Sequence, residues 1–288
     1  MSARGDRAIA MIGVDLDGTL LGPDGTVGAA EADALRAAAD CGVTVVPCTG
    51  RAHHEAAGPL AGLPGLELGV FATGGTVNRL ANGAVVDATH FDPALAADLI
   101  EALAPLPEAV LVYGTRERTG FDYTVTGSGA LTPNTAWWFE QTRARVRHVD
   151  ALSDDNLTHV VRVAVVSNAH TLQPHLDALR TRFGDHIESH SFGGVERAED
   201  NPVQILEVFP RGVTKWQGLT HAAGLLGVDA IRIGVIGDEV NDAPAFAGAS
   251  LSVAMGNAIP AIRDAADHHV ADNRSGGAAE AIHWLLAQ

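Results

Sequence analysis

The sequence predicts an α/β fold in which a parallel sheet, covered by helices on both faces, is interrupted by an inserted α+β domain. Three observations carry that expectation. Apolar runs alternate with amphipathic ones through the first third of the chain. The same alternation returns after Pro210, Arg211 and Gly212. Between them the pattern changes to strands paired around tight turns, of which Asn82-Gly83 is the clearest. At 288 residues the chain has room for two ordinary domains.

The elements follow in order. Residues 8–14 are almost wholly apolar, as a strand buried on both faces must be. Residues 31–39 form an Ala-rich helix closed by Gly42, residues 43–46 a second strand, and a helix starts near residue 52. Residues 68–72 read as a third strand, and the Asn82-Gly83 turn joins 77–80 to 84–86. In the middle, helices are expected at 93–103 and 172–183, with strands at 109–113, 160–166, 186–191 and 203–208. Residues 115–155 give no clear pattern. A helix over 214–225 opens on Thr214 and Gln217, which fit a capping box, and a strand over 231–236 precedes a short helix after Asn241. Segments 251–254, 259–266 and 278–286 complete the chain. The core is expected from 1–82 and 210–288, with 83–209 inserted.

Composition narrows the partners. Hydrophobic residues make up 47% and charged residues 19%, which fits a globular protein with a sizeable core. A formal charge of −16 repels nucleic acid and anionic membranes, and no apolar run approaches the roughly 20 residues that span a bilayer. Cys41 and Cys48 form neither a disulfide framework nor a zinc spacing, and the first seven residues make a poor secretory signal. A reducing cytoplasm is the expected setting. Lys215 is the single lysine among 19 basic side chains.

Four clusters fall where a predicted strand ends or the next helix starts, the edge at which open α/β sheets bind ligands. Asp15 and Asp17, in Asp15-Leu16-Asp17-Gly18-Thr19, place two carboxylates after a buried strand. Their burial is offset by a divalent cation; magnesium takes oxygen ligands. One carboxylate can attack phosphorus while the other protonates the leaving oxygen. A plain Asp-Gly turn is the alternative. Thr49 and Gly50 offer a hydroxyl and a close backbone approach to a phosphoryl oxygen, or simply a helix cap. Lys215, at the first position of its helix, opposes the helix dipole, which marks either a functional ammonium or a solvated lysine. Asp238, Asn241 and Asp242 supply two acids and an amide, or only an acidic helix start, with Glu239 facing solvent.

Together these segments resemble the haloacid dehalogenase superfamily of phosphatases, in its Cof-like branch. The likeness runs from Asp15-Leu16-Asp17-Gly18-Thr19 to Met255-Gly256-Asn257-Ala258. It implies a Rossmann-like parallel-sheet core with a large cap inserted between the second and third motifs. By that resemblance Asp15 is the nucleophile, forming an aspartyl-phosphate, and Asp17 the general acid and then base. Thr49, Gly50, Lys215 and Asn241 hold the phosphoryl group. Asp15, the backbone carbonyl of Asp17 and Asp238 bind Mg2+, with Asp242 assisting directly or through water. Relatives carry an Asn-Gly pair after the third core strand, where this chain has Thr73-Gly74-Gly75-Thr76. Taking Gly74 to stand at the asparagine's place, an amide near the substrate is lost.

The expected reaction is hydrolysis of a small phosphate monoester, a sugar phosphate or related phosphometabolite, by a monomer or homodimer. A phosphosugar mutase with the same nucleophile is the first alternative. A non-catalytic nucleotide-binding module is the second, although no Gly-x-Gly-x-x-Gly follows the first strand. Substrate choice is expected from the inserted domain, with Arg116 and Tyr123 as leading candidates beside Tyr113, Arg118, Trp137 and Trp138. The adjacent pairs His53-His54 and His268-His269 read as structural or surface groups.

Overall fold

The computed structural model describes residues 8–168, 172–194 and 203–288. The chain divides into two compact units, Met1–Asp87 with Thr214–Gln288, and Ala88–Val213.

The first unit opens with β1 (Met11–Val14), α1 (Ala29–Asp40), β2 (Thr44–Pro47), α2 (His53–Leu60), β3 (Leu68–Phe71), β4 (Thr76–Arg79) and β5 (Val85–Ala88). The second contains α3 (Pro93–Leu103), β6 (Val110–Gly114), α4 (Arg116–Thr119), β7 (Tyr123–Thr126), α5 (Pro133–Gln141) and β8 (Val146–His148). It continues through α6 (Asp154–Leu157), β9 (Val160–Ser167), α7 (Gln173–Phe183), β10 (Ile187–Gly193) and β11 (Gln204–Pro210). The chain then returns to the first unit with α8 (Lys215–Leu226), β12 (Ile233–Gly237), α9 (Ala243–Gly248), β13 (Leu251–Ala254), α10 (Pro260–Ala265), β14 (His268–His269) and α11 (Gly277–Leu286).

The main sheet of the first unit is parallel, in the order β14-β13-β12-β1-β2. Successive side chains point to opposite faces, and both faces are dry. Ile12 and Val14 join α1 and α11 through Ala34, Leu35, Ala38, Ala281, Ile282 and Leu285. Met11 turns to the other face, where Leu219, Ala222 and Ala223 of α8 and Phe246 of α9 cover it. Gly13 lets α8 lie close, since a Cβ there would stand 2.6 Å from Leu219 Cδ1. Apolar residues throughout the strand are the consequence of being covered twice.

The third strand departs from expectation. β3 pairs antiparallel with β4 in a separate three-stranded sheet completed by β5, and touches the parallel sheet through one bridge, Cys48 to Val70. The expected cut after residue 82 falls within the hairpin turn before β5, so the first unit runs on to Asp87. The return falls at Thr214 rather than residue 210, because Arg211 and Gly212 are held within the second unit by bonds to His186 O and Glu188 Oε1.

The second unit is built on a six-stranded sheet, β10-β11-β9-β6-β7-β8, antiparallel except where β7 meets β8. α3 and α7 bury Leu99, Leu103, Leu176 and Leu179 against Val110, Val112, Val163, Val165, Leu206 and Val208. The stretch over 115–155 that gave no pattern holds short elements, α4, β7, α5, β8 and α6. Among the described residues, no helix is long and apolar enough to cross a membrane.

Candidate active site

The site stands at the C-terminal end of the parallel sheet, where β1, β2 and β12 all finish. Asp15 follows β1 directly, and its N–H donates to Ile236 O at 3.0 Å, extending the β1–β12 ladder by one bond. The chain then makes a wide turn, closed by Leu20 N to Asp15 O and Leu21 N to Leu16 O. Gly18 permits it, with φ 79° and no room for a side chain: a Cβ would stand 2.3 Å from Asp238 Oδ2. Thr19 Oγ1 donates to Asp238 Oδ1 at 2.7 Å, so the first and last motifs are locked together.

Lys215 is wholly buried, and its Nζ donates to Asp15 Oδ1 at 2.7 Å and Asp242 Oδ1 at 2.6 Å. It is therefore no solvated lysine. Thr214 caps α8, accepting from Gln217 N at 3.2 Å, but the reciprocal half of the expected capping box is missing, Gln217 Oε1 having no partner among the described residues. Asp242 Oδ2 accepts from the N–H groups of Asp238 and Glu239, both at 3.0 Å. Both its oxygens are thus engaged in holding the loop after β12 and the ammonium. Glu239, partly buried, turns back to accept from Val240 N.

Asp15, Asp238 and Asp242 each offer a carboxylate oxygen within 4.8 Å of the others. Three acids facing one ammonium leave an excess of negative charge in a buried place. Burial first, and then Asp242 and Asp238, push the Asp15 carboxyl well above its usual range, although Lys215 opposes this. Asp238 is pushed up to about 7, by burial first and by Asp242 next. The Lys215 ammonium is held protonated: burial works against the charge, but Asp15 and Asp242 outweigh it. An all-oxygen set with surplus negative charge fits a hard divalent cation such as Mg2+. No histidine belongs to this group, and His268 stacks on Trp284 at 4.3 Å.

Asp17 lies outside the buried group. Its carboxylate receives a two-pronged bond from Arg51, Nε to Oδ2 at 2.8 Å and Nη2 to Oδ1 at 2.5 Å. The sequence gives Arg51 no evident role: its spacing from Asp17 carries no signal, because the two loops meet only when β1 and β2 pair. Thr49 is buried, and its hydroxyl accepts from Arg51 N at 3.1 Å, leaving its proton to donate elsewhere. Ala52, not Thr49, occupies the cap position of α2. Cys48, whose thiol burial pushes up in pKa, donates to Lys215 O. Asn241 is buried, and its Oδ1 has no partner among the described residues.

Asn257 was also missed. Its Nδ2 donates to Gly18 O at 2.8 Å and Asp238 Oδ2 at 3.2 Å, while its Oδ1 accepts from Asn273 N. It ties together the two loops that carry the acids.

Position 74 leaves no room for a side chain. A Cβ on Gly74, whose φ is 105°, would fall 2.0 Å from Thr214 O. Only glycine fits there, and Thr73 before it is left-handed at φ 57°.

Within the second unit, the leading candidates are already engaged. Arg116 pairs with Asp122, Nε to Oδ1 at 2.9 Å with a second contact to Oδ2, and Arg118 is exposed. Tyr123 is buried, its hydroxyl accepting from Arg162 Nη2 at 2.7 Å, and Arg162 also binds Glu207 Oε1 at 2.5 Å. Tyr113 lies under the same guanidinium, and Trp137 and Trp138 are half-buried neighbours. Arg162 and Glu207 sit inside strands, where one charged residue among apolar neighbours gave sequence reasoning nothing to act on.

Comparison with known proteins follows the same lines. The family described as haloacid dehalogenase-like hydrolase matches residues 12–282. The chain is similar to the putative phosphatase YxeH of Bacillus subtilis, 28% identical over 96% of this chain and 98% of the relative. A haloacid dehalogenase-like hydrolase from Bacteroides thetaiotaomicron shares its fold, with a TM-score of 0.75 at 22% identity over 96% of this chain and 99% of that one. So does the subclass IIB sugar phosphatase BT4131, at 0.74 and 15% identity, over 95% of this chain and 98% of that one.

Proposed function

This chain belongs to the haloacid dehalogenase-like hydrolase family and is a phosphoric monoester hydrolase, and from that premise we propose that it hydrolyses a small sugar phosphate or related phosphometabolite through an aspartyl-phosphate on Asp15. The observation that carries the reading is the Lys215 ammonium, buried between Asp15 and Asp242 with Asp238 alongside. Phosphoryl transfer asks mainly for positioning and neutralised charge, and this arrangement supplies both.

Asp15 presents a carboxylate oxygen at the sheet edge as nucleophile. Lys215, the Thr49 hydroxyl, the Gly50 backbone and the Asn241 amide bind the phosphoryl oxygens. Asp17 gives a proton to the leaving oxygen, for which one of its oxygens must part from Arg51, and then takes one from the water that cleaves the aspartyl-phosphate. Asp15, the Asp17 carbonyl and Asp238 would hold Mg2+, with Asp242 assisting directly or through water. Bound there, it supplies charge neutralisation for the phosphoryl group. Sugar phosphates are favoured because one structural neighbour is described as a sugar phosphatase.

Phosphate release across a panel of phosphometabolites, with Mg2+, tests the reading. Wild type should release inorganic phosphate, and Asp15→Asn should abolish turnover with the fold intact. Wild-type rates in Asp15→Asn would sink the mechanism. Isomerised sugar phosphate with little release would turn the assignment to a mutase.

A further inference from the structure

The side-chain direction at Gly50 is open except for two polar atoms. Apart from its chain neighbours, a Cβ built on Gly50 would have only Thr73 Oγ1 at 3.5 Å and Asn241 Nδ2 at 3.7 Å within 4 Å. Both are ordinary contact distances, and Gly50 has no positive φ. Neither sterics nor backbone conformation demands glycine here. What the missing side chain leaves is room.

The groups around that room are expensive to keep. Thr73 is buried, and its hydroxyl has no hydrogen-bond partner among the described residues. Its backbone is left-handed, φ 57° and ψ 24°, a strained state for a β-branched residue. Asn241 Oδ1 is likewise buried without a partner. The hydroxyl is not loosely placed. Thr73 N donates to Thr49 O at 3.0 Å and Ala72 N to Arg51 O at 2.8 Å, clipping this turn to the loop that carries Thr49 and Gly50. Strain and unmet hydrogen bonds gathered on one small space mark a place shaped for something the protein binds.

We propose that this space receives one oxygen of the substrate's phosphoryl group, and that Thr73 Oγ1 donates a hydrogen bond to it. The inference rests on the phosphatase reading above and adds a binding residue to it. Inorganic phosphate has the same oxygens, so it serves as the probe.

The test is calorimetric titration of phosphate, in excess Mg2+, into wild type, Thr73→Val and Gly50→Ala, with thermal unfolding of each. Valine keeps the branched shape and removes the hydroxyl. Its phosphate dissociation constant should rise about tenfold, the worth of one hydrogen bond to a charged oxygen. Its Tm should hold or rise, because an unpaired buried hydroxyl has gone. Gly50→Ala fills the space with Thr73 in place and should weaken phosphate similarly; it decides the case in which Thr73→Val also loses stability. Wild-type phosphate affinity in either variant overturns the proposal. If wild type releases no phosphate from any ester, yet binds it and loses it in both variants, the phosphatase reading falls and the oxyanion site stands.

Discussion

Lys215 Nζ meets Asp15 Oδ1 at 2.7 Å, a buried ion pair between residues 200 positions apart. One structural consequence is that removing the cation strands three acids. Lys215→Met should destabilise the protein by about 3–5 kcal/mol near neutral pH, because it leaves buried carboxylates without their partner. Urea denaturation in the absence of metal measures this. The loss should shrink at pH 5, below the value of about 7 to which Asp238 is pushed up, and a pH-independent loss would contradict the account.

Metal and pH act on the same group. Asp238 titrates near 7 in the folded protein against a reference value of 3.8, and Asp15 is shifted in the same direction. Between those values the folded, metal-free protein holds protons that the unfolded chain has released. That stability is complete below about pH 4 and lost as pH rises through about 7. In EDTA, Tm should therefore fall from pH 5 to pH 8. Millimolar Mg2+ should raise Tm most at the upper end, since binding favours the ionised acids and expels their protons. A Tm that climbs with pH in EDTA would refute the shift.

Arg51 holds Asp17 by two parallel bonds that lysine cannot reproduce. Arg51→Lys should lower kcat by about a hundredfold, the scale of a displaced general acid or base, with little change in KM. Steady-state kinetics on the best substrate decides it. An equal fall in kcat and rise in KM would place Arg51 on the substrate instead.

Gly18→Ala forces a Cβ to within 2.3 Å of Asp238 Oδ2 at a left-handed φ. It should weaken Mg2+ binding at least tenfold and cost about 1–3 kcal/mol of stability. Calorimetric titration of Mg2+ into the variant reads the first directly. Unchanged affinity would mean that the loop yields without moving Asp238.

How much of this was legible in the sequence depends on the range of the interaction. Asp15, Lys215 and Asp238 were legible because each follows or opens an element whose period is written locally: the apolar run of β1, the Thr214 cap, the apolar run of β12. The roles of Arg51 and Asn257 were not legible, since their partners lie in other loops and only sheet order brings them together. β3 was misjudged because an apolar run cannot declare which neighbour it will pair with. That Gly74 admits no side chain was not legible, because the atom it would strike, Thr214 O, lies far along the chain. Arg162 and Glu207 form a cross-strand pair in the second unit, hidden within strand sequences.

The pairing of β1 with β12 also dictates an order of events during synthesis. Met11 emerges from the ribosome early and must wait for Ile233 before its second neighbour exists. Until then the strand that leads to Asp15 has an open edge, ready to join a wrong partner. The continuous unit Ala88–Val213 has all its own strands before that moment. Asp15 and the Asp238–Asp242 pair therefore come together only once β12 is made, and the edge of β1 stays open until then.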